Sequence, residues 1–170
     1  MKEIKVTIDG KEVRLTDEQA KALKLELLLK MKSSNPFERV EKYAEYYCIK
    51  GTGEIYDYCE DGGSFDSTLY SESNYFNDKN FANQVSLHQL LYRKLLKYAY
   101  DNEFEDEEWN GTKMHAYIIY NFTRKDYDIR WTRNEKEPGT VYFKTPTMAT
   151  AALNEVVMPF VKEHPEFVWR

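Results

Sequence analysis

Apolar and polar residues alternate at the start of the chain, between residues 4 and 15, on either side of Asp9-Gly10. A period of two predicts β-strands, and the Asp-Gly pair predicts a two-residue turn between them. The register that puts the apolar side chains on one face pairs Ile4 with Leu15, Val6 with Val13 and Ile8 with Lys11. We therefore predict a β-hairpin with one apolar face.

The segment that follows can cover this face. Thr16, followed three residues later by Gln19, is a capping box, which favours the start of a helix. Apolar residues continue at helical spacing to about Lys32, and Ser33-Ser34-Asn35-Pro36 ends the pattern. The sequence thus predicts an N-terminal hairpin and helix over residues 1–35.

Short tyrosine-rich strands come next. Residues 46–50 and 54–58 predict a second hairpin around Gly51-Thr52-Gly53. In that hairpin Cys48 lies near Tyr56 on the opposite strand, so we expect no disulfide to Cys59. Residues 61–73 are rich in Gly, Ser and Asp and predict a loop.

A helix is predicted after that loop, over residues 78–100, because apolar residues recur there every three or four positions. The rest of the chain repeats the plan. Residues 116–121 and 127–132 predict a hairpin, residues 141–143 a short strand, and residues 145–161 a helix with one apolar face.

The two copies share a residue pattern, Tyr75-Phe76 with Ala82 and Tyr142-Phe143 with Ala149, at the same spacing. A Phe at the end of a strand and a small residue early in the next helix let the helix approach the sheet closely. We therefore predict an α+β fold, an N-terminal β-hairpin plus helix followed by two similar antiparallel βββα modules. The first module spans 36–102, and an acidic connector with the second module spans 103–170.

Charge, motif content and hydropathy disfavour several classes of function for this protein. The 170 residues include 24 basic and 29 acidic ones, which gives a net charge of −5 and disfavours general binding to phosphate backbones. The chain contains no recognisable catalytic or metal-ligand motif, so the sequence favours a protein without enzymatic activity, metal or cofactor. It has neither a signal pattern nor a membrane-length apolar run, so we expect a cytoplasmic protein without a membrane partner.

The densest charged stretch follows the first long helix. Its candidate binding residues are Glu103, Glu105, Asp106, Glu107 and Glu108. One interpretation is a solvated connector between modules. The other is an acidic face that docks onto a basic partner or imitates a nucleic-acid backbone.

A basic group surrounds the last hairpin. It consists of Arg124, Lys125, Arg130 and Arg133, with Tyr127 as a candidate stacking residue. Arginines beside aromatic rings on a sheet are typical of proteins that hold single-stranded nucleic acid. In the alternative interpretation Arg130 and Trp131 point to opposite faces of one strand, one to solvent and one to the core.

Several segments resemble small uncharacterised proteins of phages and prophages of low-GC Gram-positive bacteria. The segments are Ile8-Asp9-Gly10-Lys11, Leu15-Thr16-Asp17-Glu18-Gln19, Pro36-Phe37-Glu38-Arg39-Val40, Tyr46-Tyr47 and Asn74-Tyr75-Phe76. The resemblance implies an accessory protein of a mobile element, a class that includes anti-CRISPR inhibitors, and it transfers no catalytic residues.

These observations lead to one main hypothesis and one alternative. The main hypothesis is a non-enzymatic binding protein that inhibits or modulates a host macromolecule, with a host protein or nucleoprotein complex as its partner. The alternative is a module that binds single-stranded nucleic acid through sheet aromatics and arginines. The sequence leaves open whether the chain is a monomer or a homodimer.

Overall fold

The structure, a computed structural model, describes residues 4–8, 11–16, 18–19, 35–104, 109 and 111–169. These residues form antiparallel strands and helices, so the predicted α+β class is confirmed. The strands are β1 (Ile4–Ile8), β2 (Lys11–Leu15), β3 (Glu45–Ile49), β4 (Ile55–Cys59), β5 (His115–Asn121), β6 (Asp126–Thr132) and β7 (Tyr142–Phe143). The helices are α1 (Ser64–Ser71), α2 (Lys79–Asp101), α3 (Pro146–Ala152) and α4 (Met158–Glu163), with a π-helical turn at Leu153–Val157.

The N-terminal hairpin has the predicted register. Ile4 lies opposite Leu15, Val6 opposite Val13 and Ile8 opposite Lys11. The capping box is also present, since the Thr16 N–H donates to Gln19 Oε1 at 3.0 Å and the Gln19 N–H donates to Thr16 Oγ1 at 3.3 Å. The remainder of the helix predicted to Lys32 lies outside the described residues.

Helices α1 and α2 both pack against the β3–β4 sheet. Cys48 lies opposite Tyr56, as predicted, and Tyr46 opposite Tyr58. Because side chains alternate along a strand, these four residues share one face, and Leu69 of α1 packs against it. Helix α2 contacts both strands of this sheet.

The prediction of a loop over residues 61–73 is wrong, because α1 lies within it. The helix begins after Gly63, and the preceding Gly62 has a positive φ of 82°. Asp66 of α1 accepts hydrogen bonds from the N–H groups of Asp61 and Gly62 at 2.9 and 3.1 Å. The glycine-rich stretch therefore folds back onto the first turn of the helix.

Two buried carboxylates connect α1 to the sheet. Glu60 is 3% exposed and accepts hydrogen bonds from Arg39 Nε at 2.8 Å, Tyr75 Oη at 2.8 Å and the Gly62 N–H at 2.8 Å. Asp66 is 4% exposed and accepts from Tyr46 Oη at 2.7 Å. The rings of Tyr46 and Tyr75 stack with centroids 4.0 Å apart, so the two carboxylates and two tyrosines form one network.

This network lowers the pKa of both carboxyl groups. The hydrogen bond from Arg39 is the largest cause for Glu60, where it outweighs burial. Burial acts to raise the pKa of Asp66, but hydrogen bonds from Tyr46, Asp61 and Gly62 outweigh it. Both groups are therefore held in their charged form inside the protein.

Helix α2 contributes to the packing of both sheets. Its N-cap is Asp78, whose Oδ1 accepts the Phe81 N–H at 3.0 Å, and its 23 residues extend about 34 Å. Early in the helix Ser86 Oγ donates to the Gly53 carbonyl in the β3–β4 turn at 2.6 Å. Further along, Leu87 and Leu91 pack with Val157 and Phe160, and Ala99 joins the core of the second sheet.

The second sheet has the strand order β6-β5-β7. Phe143 pairs with Ala116 in this sheet, and Phe76 forms a single bridge to Tyr47 in the first. Both phenylalanines are buried, as are Ala82 and Ala149. The first predicted module has a single bridge at Phe76 where the second has strand β7, and it also contains α1. Duplication of a βββα module therefore remains a prediction. The proposed domain boundaries remain predictions as well.

The last helix is longer than predicted and is interrupted. Its N-cap is Thr145, whose Oγ1 accepts the Met148 N–H at 3.2 Å. The π-helical turn precedes Pro159. Proline has no N–H and its ring clashes with the carbonyl four residues earlier, here that of Glu155, so the wider turn accommodates it.

The carboxylate network predicts acid-dependent stability. Because the pKa values of Glu60 and Asp66 are lower in the folded than in the unfolded chain, their contribution is complete above the unfolded carboxyl pKa of about 4 and is lost as the pH falls toward the folded values. We expect Asp66→Asn to reduce the free energy of unfolding by about 1–3 kcal/mol at neutral pH, because an amide cannot accept all these donors. We also expect the variant to show a smaller loss between pH 5 and 2.

Urea denaturation across that pH range measures both effects. Asp57→Asn, at an exposed aspartate of β4, is the matched control and is expected to behave like the unmodified protein. Equal pH dependence of Asp66→Asn and the unmodified protein would contradict the assignment.

Candidate interaction surface

The outer side of β6 presents a hollow of about 480 Å³. Its lining residues, which we name the β6 edge surface, are Arg124, Asp128, Ile129, Arg130 and Trp131. β6 is the outermost strand of its sheet and pairs with β5 on one side. The surface therefore lies on a strand whose second side has no ladder partner among the described strands.

Two arginines of this surface share one carboxylate. Arg124 forms an ion pair with Asp128 Oδ1, and Arg130 Nη2 lies 3.9 Å from Asp128 Oδ2. The side chains of Arg124 and Arg130 are 55% and 59% exposed. Asp128 thus pairs with Arg124 and lies near Arg130, while both guanidinium groups remain accessible to a ligand.

Trp131 is exposed, contrary to the interpretation that places its side chain in the core. It does point to the opposite face from Arg130, the face that carries the core residues Ala116 and Phe143, but it is 57% exposed. α3 packs against the middle of that face, and Trp131 belongs to the edge strand. Alternation along a strand gives the face of a residue but not whether a helix covers it.

The other predicted basic residues are close in sequence to this surface. Lys125 lies in the β5–β6 turn with a positive φ of 54° and is exposed, and Arg133 is exposed directly after β6. Tyr127 is oriented differently. Its oxygen accepts the indole N–H of Trp169 at 3.1 Å, its ring packs against Tyr120, and burial raises its pKa. It is therefore half-buried against Trp169 and does not line the hollow.

The acidic stretch is described only in part. Glu103 follows α2 with a φ of 61°, is exposed, and places Oε2 3.6 Å from Lys144 Nζ. Glu105, Asp106, Glu107 and Glu108 lie outside the described residues. The proposed docking role of this stretch stays a prediction.

The C-terminal segment Glu166–Trp169, which we name the strap, connects α2 to the β5–β6 hairpin. Gln84 Nε2 donates to the Glu166 carbonyl at 2.7 Å, and Gln84 Oε1 accepts the Val168 N–H at 2.9 Å. His88 Nε2 lies 2.8 Å from the Val168 carbonyl. Phe167 is buried against Phe160, and the Trp169 ring stacks on Tyr120.

The strap fixes the hairpin that carries the β6 edge surface. It attaches to α2 through Gln84 and to β6 through Tyr127, so these contacts orient the hairpin relative to the helix. Sequence reasoning did not identify Gln84, because its partners are more than 80 residues away and such pairing leaves no local pattern. The aromatic residues Phe167 and Trp169 were the sequence feature that could have indicated packing of this segment against the rest of the protein.

Other site types have no support in the described part of the chain. No group of three or more His, Cys, Asp or Glu side chains there is arranged to hold a metal ion. None of its helices combines the length and apolar character needed to cross a bilayer. Comparisons with protein-family models, curated proteins and solved structures found no match.

The strap contacts predict a specific stability loss. Gln84→Leu retains the size of the side chain but leaves the Glu166 carbonyl and the Val168 N–H without their partner, so we expect the free energy of unfolding to fall by about 1–3 kcal/mol. Equilibrium urea denaturation measures this loss. Gln89→Leu, at an exposed position of the same helix, is the control, and equal stability of the two variants would show that the strap contacts contribute nothing.

Proposed function

We propose that this chain is a binding protein that acts by occupying a surface of a host macromolecule, with the β6 edge surface as its contact site. The observation that carries the proposal is the joint exposure of Trp131, Arg130 and Arg124 around one hollow. Trp and Arg are the residues most enriched among those that dominate the energetics of protein–protein interfaces. A host protein is therefore the partner this surface fits best.

The arrangement also limits the entropic cost of binding. Asp128 pairs with Arg124, and the strap holds the hairpin against α2. A surface that is already ordered loses less conformational freedom when a partner binds. The resemblance to phage and prophage proteins adds a biological form to the proposal, namely an accessory protein that inhibits a host factor such as a defence nuclease.

Affinity capture from a bacterial host lysate tests this function. We expect the tagged protein to enrich a defined host protein, and we expect Arg130→Glu and Trp131→Ala each to reduce its recovery at least tenfold. Arg93→Glu on α2 and Tyr43→Ala are matched controls at exposed positions outside the surface, and both should retain capture. Loss of capture in the controls as well, or its retention in all four variants, would contradict this assignment of the surface.

Single-stranded nucleic acid is the second candidate partner. It is favoured by the same exposure of Trp131 next to Arg130, since a base can stack on an indole while a guanidinium contacts a phosphate. The net charge of −5 and the carboxylate of Asp128 within the surface oppose it.

An oligonucleotide shift assay decides this candidate. If it is right, a labelled single strand is retarded at low salt, retardation weakens as salt rises, and Arg130→Ala removes it whereas Arg93→Ala does not. Absence of any shift at low salt excludes nucleic acid as the partner.

A further inference from the structure

The hollow on β6 is lined by residues from both faces of the strand. Its lining includes four consecutive residues, Asp128 to Trp131. Consecutive side chains of a strand point to opposite faces, so Asp128 and Arg130 belong to one face and Ile129 and Trp131 to the other. A ligand beside the outer edge of β6 can reach side chains of both faces, because β6 is the outermost strand of its sheet.

No described strand pairs with the backbone on this side of β6. The Tyr127 N–H donates to Asp126 Oδ1 at 2.7 Å and so points away from the ladder with β5. Backbone groups of an antiparallel strand alternate in direction with a period of two, so the N–H groups of Ile129 and Trp131 share that outward direction. Unpaired groups of an edge strand are a template for a further strand.

We propose that β6 binds an extended peptide segment of a partner protein by β-strand addition, as a fourth strand beside β6. This inference rests on the proposed function, because it names the partner of the same surface. Strand addition obtains its affinity from main-chain hydrogen bonds and its specificity from alternate side chains. β6 is seven residues long, which is enough to pair with such a segment.

The side chains of β6 define the chemistry of the segment. Arg130 projects to one face at 3.9 Å from Asp128, beyond hydrogen-bond distance, so its guanidinium is available to a carboxylate on the neighbouring strand. Ile129 and Trp131 project to the other face and favour apolar neighbours. The preferred segment therefore alternates acidic and apolar residues.

Amide exchange measured by NMR on the isotope-labelled full chain tests this proposal. The probe is an eight-residue peptide of alternating Glu and Val, and the matched control peptide alternates Lys and Val. We expect the Glu peptide at millimolar concentration to slow exchange of the Ile129 and Trp131 N–H groups, and we expect the Lys peptide to leave them unchanged.

Two variants separate backbone pairing from side-chain contact. Trp131→Ala and Trp131→Pro both remove the indole, but only the proline also removes the outward N–H, which an edge strand tolerates. We expect roughly tenfold weaker binding of the Glu peptide by Trp131→Pro than by Trp131→Ala. Arg130→Glu keeps the backbone intact and should reverse the preference in favour of the Lys peptide.

The remaining outcomes overturn the inference. Equal protection by both peptides, equal affinity of Trp131→Pro and Trp131→Ala, or no protection by the Glu peptide would exclude strand addition by an acidic segment. Binding of oligothymidine with shifts confined to Trp131 and the arginines would identify nucleic acid instead. If peptide binding fails while host-protein capture remains sensitive to Arg130→Glu, only this inference fails, whereas loss of both refutes the proposed function as well.

Discussion

The first half of the protein depends on the burial of two charged carboxylates. Removing a carboxylate from water costs several kcal/mol, and only well-placed donors offset that cost. Glu60 and Asp66 obtain their donors from the segment before β3, from β3 itself, from the loop after β4 and from Tyr75. These segments must come together for either carboxylate to be buried, so the two groups determine how α1 and Tyr75 pack on the sheet.

Much of the fold follows from local patterns in the sequence. Alternation at residues 4–15 predicted the register of β1 and β2, and helical spacing predicted α2 within one or two residues at each end. The helix α1 was missed because its Gly, Ser and Asp content is typical of loops. What makes it a helix is tertiary, namely the packing of Leu69 on the sheet and the hydrogen bond from Tyr46 to Asp66.

The candidate surface could be predicted in part. The sequence identified Arg124 and Arg130 from their proximity to aromatic residues, and the structure places both around one hollow. It paired them with Tyr127, but the aromatic residue at the hollow is Trp131, because Trp169 covers Tyr127. Tyr127 is replaced by Trp131 at the hollow because Tyr127 bonds to Trp169, 42 residues away, and because β6 is the outer strand of its sheet. Neither feature can be read from the spacing of residues along the chain.

Helix α2 bonds to the turn of the β3–β4 hairpin and to the strap that contacts the β5–β6 hairpin. Both attachments lie within little more than one turn of the helix. Ser86 bonds to the Gly53 carbonyl, while Gln84 and His88, four residues apart on one side of the helix, bond to the strap. A rotation or local melting of this turn would break both attachments together. The two sheets are therefore thermodynamically coupled through helix α2 and should unfold as one cooperative unit and not as two separate modules.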